Sequence, residues 1–339
     1  MDRAEDSPRR AGGSTALEVR QFLPVAAVGA VLIAFPFVIK DPFWQNLAVL
    51  VLIYASAATA WNLLGGFAGQ ISFGHAVFFA VGAYTTGYLL IHAALIPWFG
   101  IALGAVLAAI IGVIIGFPVF RLRAHYFSIA TIALQQVAFI IVVNNSALGA
   151  ATGLELPLKS ESLANLQFSI RDKTEYHLVA LGFLAFSTLV VWLFMRTRPG
   201  YYVRAIRDDE DAARVMGVPV RRYKLYAMVI SSALTAMAGG LYAMYALYVE
   251  PNVVLSVGES ILIALVAILG GAGSLWGPLI GAAVLNWLQQ STRVQFSGGG
   301  NGLDFVVYGA LVMIVAVLEP RGLVGLGNRA ARALERIRR

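Results

Sequence analysis

Residues 62–84 read NLLGGFAGQISFGHAVFFAVGAY. The stretch lies in strongly apolar surroundings, yet it holds Gly65, Gly66, Gly69, Gly74 and Gly82 together with Gln70, Ser72 and His75. A uniform hydrophobic helix has no use for such a run. Glycine lets a chain leave helical geometry or lets another backbone approach. Polar side chains at membrane depth are costly unless they face protein or a water-filled cavity. The stretch therefore reads as a broken helix that lines or braces a route across a membrane.

The rest of the chain agrees with that setting. Of 339 residues, 59% are hydrophobic and 13% charged, with a mean hydropathy of +0.77. Several segments exceed the roughly 18 apolar residues of a membrane span. The expected fold class is an all-α polytopic membrane protein with about 8–10 transmembrane helices, some broken or re-entrant. A β-barrel would need alternating ten-residue segments, and none is present. The net charge of +7 comes from arginines in loops and at the C-terminal end. That distribution fits the positive-inside rule and gives no reason to expect nucleic acid. There is no cysteine, which excludes disulfides and thiolate chemistry. Histidines 75, 92, 125 and 177 are scattered, so no metal site is expected.

Working outward, residues 1–21 read as a polar cytoplasmic tail, 22–318 as the transmembrane domain and 319–339 as a basic cytoplasmic tail. Candidate spans cover 22–39, 43–64, 75–96, 98–120, 125–143, 175–195, 225–249, 259–290 and 303–318. Loop 196–224 carries eight basic residues against four acids, which places it in the cytoplasm with Arg121–Arg123 and the N-terminus. The tail after Pro320 holds six arginines and should lie on the same side. Parity then fails if 259–290 crosses once. It is repaired if that segment enters and returns around Gly270, Gly271, Gly273 and Gly277, and a missed crossing elsewhere would also repair it. AGQISFG at 68–74 and AGSLWG at 272–277 echo each other. Paired interruptions in two halves are the sequence mark of an inverted repeat.

Loop 196–224 contains Asp208, Asp209, Glu210 and Asp211, then Ala212 and Ala213, then Gly217 with Pro219 beyond. Acids at a helix start and glycine past its end predict a capped helix of two to three turns. It is either a plain surface connection or a helix that docks into a groove on a partner. The spacing Asp-Ala-Ala-x-x-x-Gly at 211–217 resembles the EAA motif of ABC importer permeases, with Asp in place of Glu.

Asn62, Gln70, Ser72, His75, Gln135 and Gln136 are the candidate pathway residues. Each has a structural alternative: Gln70, Ser72 and His75 can bond backbone freed by Gly69 and Gly74, with Ser72 and His75 sharing a face three residues apart, and Asn62, Gln135 and Gln136 can bond between helices. Tyr126, Trp98 and Trp192 read as interfacial anchors, and Gly239, Gly240 and Gly281 as sites of close helix packing. Nothing resembles a catalytic site, and the lack of acids in the middle of spans argues against proton coupling. No G-x-x-x-x-G-K-[ST] run exists, so the chain lacks the phosphate cradle of an ATPase.

Taken in order, WNLLGGFAGQISFGHAVFFAVGAY at 61–84, YFSIATIA at 126–133, RAIRDDEDAARVMGV at 204–218, SSALTAMAGGLYA at 231–243, GGAGSLWGP at 270–278 and PRGLVGL at 320–326 resemble the branched-chain amino acid ABC importer permeases of the LivM type. One run departs: where that family shows Thr-Gly-Gly-x-x-Gly-Leu, this chain has ALGAATGLELP at 147–157. The resemblance implies a permease fold similar to vitamin importers. It also implies a bacterial inner-membrane location, separate ABC ATPase subunits that hold the ATP, a second permease of the LivH type, a periplasmic substrate-binding protein, and no cofactor in this chain. Relatives carrying urea or short amides share most of these motifs. A stand-alone carrier or channel is the alternative without partners.

Overall fold

The computed structural model describes residues 28–122, 124–169, 172–296, 309–310 and 322–325. The proposed tail 1–21, nearly all of the span 303–318 and most of the tail 319–339 lie outside these residues. The described chain is helical apart from mostly short links, the long α5–α6 connection with its 3-10 turns, and one two-residue strand pair. Helix α1 is Val28–Val38. It is followed by α2 (Pro42–Asn62), a π-helical turn (Leu63–Phe67), α3 (His75–His92), α4 (Pro97–Val119), α5 (Ala124–Val143) and α6 (Thr174–Met195). Then come α7 (Arg198–Asp208), α8 (Glu210–Val215), α9 (Val220–Ala246), α10 (Pro251–Val254), α11 (Val257–Gly271) and α12 (Gly277–Phe296). Strands β1 (Leu154–Glu155) and β2 (Tyr248–Val249) pair antiparallel and tie the α5–α6 link to the end of α9.

Among the described residues, five helices are long and apolar enough to cross a membrane: Pro42–Phe67, Pro97–Val119, Tyr126–Val143, Thr174–Met195 and Val220–Ala246. The protein is an all-α polytopic membrane protein. Burial sorts these helices. The apolar window of the first is 83% buried and that of α9 72%, so both are central. In α4 and α6 one third is buried, and in α5 only 17%.

Close approach at glycine builds the centre. A Cβ at Gly82 would sit 1.8 Å from the Ala236 carbonyl oxygen, and one at Gly239 1.9 Å from that of Phe79. Helices α3 and α9 therefore cross antiparallel in backbone contact. The interrupted segment 259–290 is a hairpin. Cβ atoms at Gly270 and Gly281 would lie 1.7 and 1.9 Å from the carbonyl oxygens of Gly277 and Val266, so α12 runs back along α11. This is the in-and-return path that was one of two ways to satisfy charge parity. Trp61, Phe79 and Ile263, each at most 1% exposed, pack where α2, α3 and α11 meet.

One buried histidine is explained by a proline. Pro36 in α1 has no N–H, so the Leu32 carbonyl lacks its helical partner. His177 of α6 approaches that oxygen with Nε2 at 2.8 Å and so donates to it. Trp98 Nε1 donates to the Leu163 carbonyl, and Trp192 lies under the Arg196 guanidinium at 3.8 Å.

Loop 196–224 differs from the single helix predicted. It holds two helices, α7 and α8, meeting at an elbow on Asp209. Pro199 in the first turn and the buried pair Val203 and Ile206 make α7 helical and amphipathic. Helix α8 is shorter than predicted, at six residues. The Asp209 carboxylate accepts from the N–H groups of Asp211 and Ala212, and Gly217 ends the turn at φ +82°.

Candidate translocation and coupling site

The helical break runs from Leu63 to Gly74. A π turn followed by an extended link frees backbone groups that must find partners when buried. Side chains supply most of them. Trp61 Nε1 donates to the Ser72 carbonyl at 2.7 Å and Ser128 Oγ to that of Ile71 at 2.6 Å. Thr131 Oγ1 accepts the Phe73 N–H at 3.1 Å, and Ser260 Oγ accepts that of Ala76 at 2.9 Å. The Gln70 N–H returns to the Leu64 carbonyl at 2.9 Å. Thus α2, α5 and α11 all brace the break. Ser128 and Thr131 belong to the YFSIATIA run, which the sequence reading quoted but gave no role.

Ser72 and His75 are brought together as predicted, although Ser72 lies on the link before α3 rather than on a continuous helix. His75 is fully buried. Its Nδ1 is 3.0 Å from Ser72 Oγ and its Nε2 2.9 Å from Ser231 Oγ. Ser231 Oγ in turn donates to the Ala60 carbonyl at 2.6 Å. Because that hydroxyl proton is committed, Ser231 accepts from His75 Nε2–H, and Ser72 donates to Nδ1. The result is a directed chain from α3 through α9 to α2. Ser231 opens the run 231–243 but had no role assigned, because a serine on an apolar helix has no distinctive spacing.

Gln70 is buried, with Nε2 on the Ala68 carbonyl at 3.4 Å and Oε1 without a partner. Gln135 is buried and donates to the Leu255 carbonyl rather than to the break, while Gln136 is exposed on the outer face of α5. The six candidates therefore do not form one cluster.

The two glycine-rich breaks touch. Asn62 Oδ1 accepts the Gly273 N–H at 2.7 Å, and Asn62 Nδ2 donates to the Ser274 carbonyl at 2.7 Å. A Cβ at Gly66 would lie 2.5 Å from the Gly273 nitrogen. Gly322, at φ +69°, packs its backbone against Gly271 from the other side. Of the other predicted glycines, Gly65 lies against the Trp61 ring and Gly74 against the Thr131 carbonyl.

The arm formed by α7 and α8 lies at the same end. Lys224 near the start of α9 is 1% exposed, and its ammonium meets Glu210 Oε2 at 2.6 Å. Glu210 also meets Arg214, which bonds Asp211 as well. Ile206, Ala213 and Val220 form a small apolar knot under the arm. Asp208 and Asp209 stand exposed at the elbow and Ala212 on the outer side of α8. A cleft of about 780 Å³ opens beside it, lined by Arg121, Asp211, Arg214, Pro219 and Arg222 among others. Among the described residues, no group of His, Asp and Glu side chains could hold a metal ion.

Comparison with known proteins places this architecture. The family described as branched-chain amino acid transport system / permease component matches residues 43–316. The high-affinity branched-chain amino acid transport system permease protein LivM of Escherichia coli (strain K12) is 29% identical over 334 residues, covering 92% of this chain and 76% of that protein. A probable LivM permease of Methanocaldococcus jannaschii is 24% identical, with 80% and 90% covered. The LivH permease of Escherichia coli (strain K12) is 26% identical over 291 residues, with 80% and 91% covered. No solved structure matches the chain.

Proposed function

This chain belongs to the family of branched-chain amino acid transport system permease components, and from that premise we propose that it is the membrane-spanning permease of an ATP-driven importer. Its substrates are leucine, isoleucine and valine, or closely related small amino acids, handed over by a periplasmic binding protein. The basic end faces the cytoplasm of a bacterial inner membrane. The ATPase subunits dock on α8 and the adjoining cleft, and hydrolysis takes place on them. The observation that carries this reading is a capped, solvent-facing helix fixed to the central helix α9 by the Glu210–Lys224 ion pair. A helix so held can pass a push into the membrane domain, which a plain connection has no need to do.

The outward face of α5 receives the second permease, of the LivH type. Tyr126, Ile129, Val137, Ile140 and Ile141 are each more than half exposed there. A single membrane protein can leave such a face to lipid, but Gln136 on it is polar and finds better company in a protein partner.

Purification from the native membrane in mild detergent, followed by mass spectrometry, tests the assembly. Recovery of an ATPase and a second permease supports the proposal; recovery of the chain alone, with ATPases intact in the extract, sinks it. Reconstituted uptake of leucine, isoleucine, valine and urea then reads the substrate class. In that assay the pair Asp211→Lys with Gly217→Pro should abolish uptake in a correctly inserted protein, since proline cannot adopt φ +82°.

A further inference from the structure

Arg207 joins the arm to both helix breaks at once. It lies at the end of α7, one residue after the buried Ile206 that anchors the arm. A Cβ at Gly69 would sit 3.2 Å from Arg207 Cγ and 3.5 Å from its Cα and Cβ. A Cβ at Gly273 would sit 2.3 Å from Arg207 Nη1. The stem of one side chain therefore crosses the first break and its guanidinium reaches the second. Gly69 and Gly273 have φ of +68° and +83°, so both sites favour glycine in conformation as well as in space. Between them lies the junction clamped by Asn62. Ala68, next to Gly69, is fully buried beneath this arrangement.

We propose that Arg207 is a positioning residue that latches the paired breaks shut, so that movement of the α7–α8 arm releases both together. The physical basis is geometric. The arm behaves as one body because the Ile206–Ala213–Val220 knot and the Glu210–Lys224 pair hold α7, α8 and the start of α9 to each other. Arg207 is the side chain of that body that lies over Gly69 and Gly273. It is solvent-exposed, so withdrawing its cation into water carries no desolvation cost, whereas a buried ion pair would resist release.

This inference rests on the coupling role proposed above, and its test separates the two. The chain has no cysteine, so Ala68→Cys introduces a single thiol on this subunit. The reconstituted full transporter carrying that thiol is treated with a membrane-impermeant maleimide, with and without Arg207→Ala. Labelling should accelerate at least about tenfold in the variant, the scale of a typical coupling between sites. Uptake should fall by a similar factor while ATP hydrolysis persists and loses its dependence on the loaded binding protein. Arg207→Lys, which keeps a long stem and a cation, should restore both readouts to within about threefold. Unchanged labelling, or loss of uptake only through loss of subunit assembly, overturns the latch. A complex without ATP-driven uptake before any substitution at Arg207 would instead refute the proposed function, and the labelling rates would still report on Arg207.

Discussion

Asn62 accepts the Gly273 N–H at 2.7 Å across 211 residues of chain, and the same amide donates to the next residue, Ser274. One side chain thus fastens the first broken helix to the second. Replacing it by alanine leaves a part-buried N–H and a part-buried carbonyl without partners. Asn62→Ala should lower stability by about 2 kcal/mol, twice the low end of the cost of one unmet group. Asn62→Asp keeps the acceptor but buries a carboxylate against the Ser274 carbonyl, so it should cost at least as much as alanine. Thermal unfolding of the purified protein in mild detergent checks the order.

The Glu210–Lys224 pair predicts a sign reversal. Lys224 is 1% exposed, so Glu210→Ala strands a buried ammonium and should cost about 3 kcal/mol. Adding Lys224→Met removes the stranded charge and should recover most of that loss. Arg214→Ala breaks only surface contacts and should cost less than about 1 kcal/mol. A double variant less stable than Glu210→Ala alone would contradict this account.

His75 and Ser231 act in one directed chain, so their effects should not add. Each alanine substitution should cost about 1–3 kcal/mol, and the pair should fall short of the sum by about 1 kcal/mol. A double-mutant cycle on unfolding midpoints measures the shortfall. Simple additivity would mean that the two groups do not support each other.

Two glycines give a contrast at fixed chemistry. Gly239→Ala drives a methyl to 1.9 Å from the Phe79 carbonyl and should part α3 from α9 at a cost of at least about 3 kcal/mol. Gly182→Ala meets nothing within 4 Å on α6 and should gain up to about 1 kcal/mol of helix propensity. Expression of folded protein, read by size-exclusion profile, should separate them clearly.

Much of this molecule was legible in its residues, and the limits are physical. Composition and long apolar runs identified the membrane class. Glycine runs at 65–74 and 270–277 marked both breaks, and charge parity allowed the hairpin that α11 and α12 form without singling it out. Local signals of this kind survive in a sequence because they act within a few residues. The meeting of the two breaks through Asn62 was not legible, since nothing near Asn62 encodes a partner 211 residues away. Lys224 looked like one more base in a cytoplasmic loop, and its burial depends on how α8 folds back over α9. Helix α7 was overlooked because its apolar positions, Val203 and Ile206, are outnumbered by charges. Gln135 and Gln136 looked alike as neighbours, but the rotation of about 100° between successive helix residues sends them to different environments.

The clasp at Asn62 also sets a timetable for synthesis. Residue 62 leaves the ribosome long before residue 273 exists. At about 5–20 residues per second, the 211 residues between them take about 10–40 s to make. Throughout that interval the first break lacks the backbone it is shaped to hold, while α2 and α3 are already entering the bilayer. The early half of the chain must therefore wait, incompletely satisfied, for the late half to arrive. Substitutions at Asn62 or at 272–274 should accordingly shorten the lifetime of nascent chains, which pulse-chase of the growing protein would reveal as degradation beginning at the same late stage of translation for either partner.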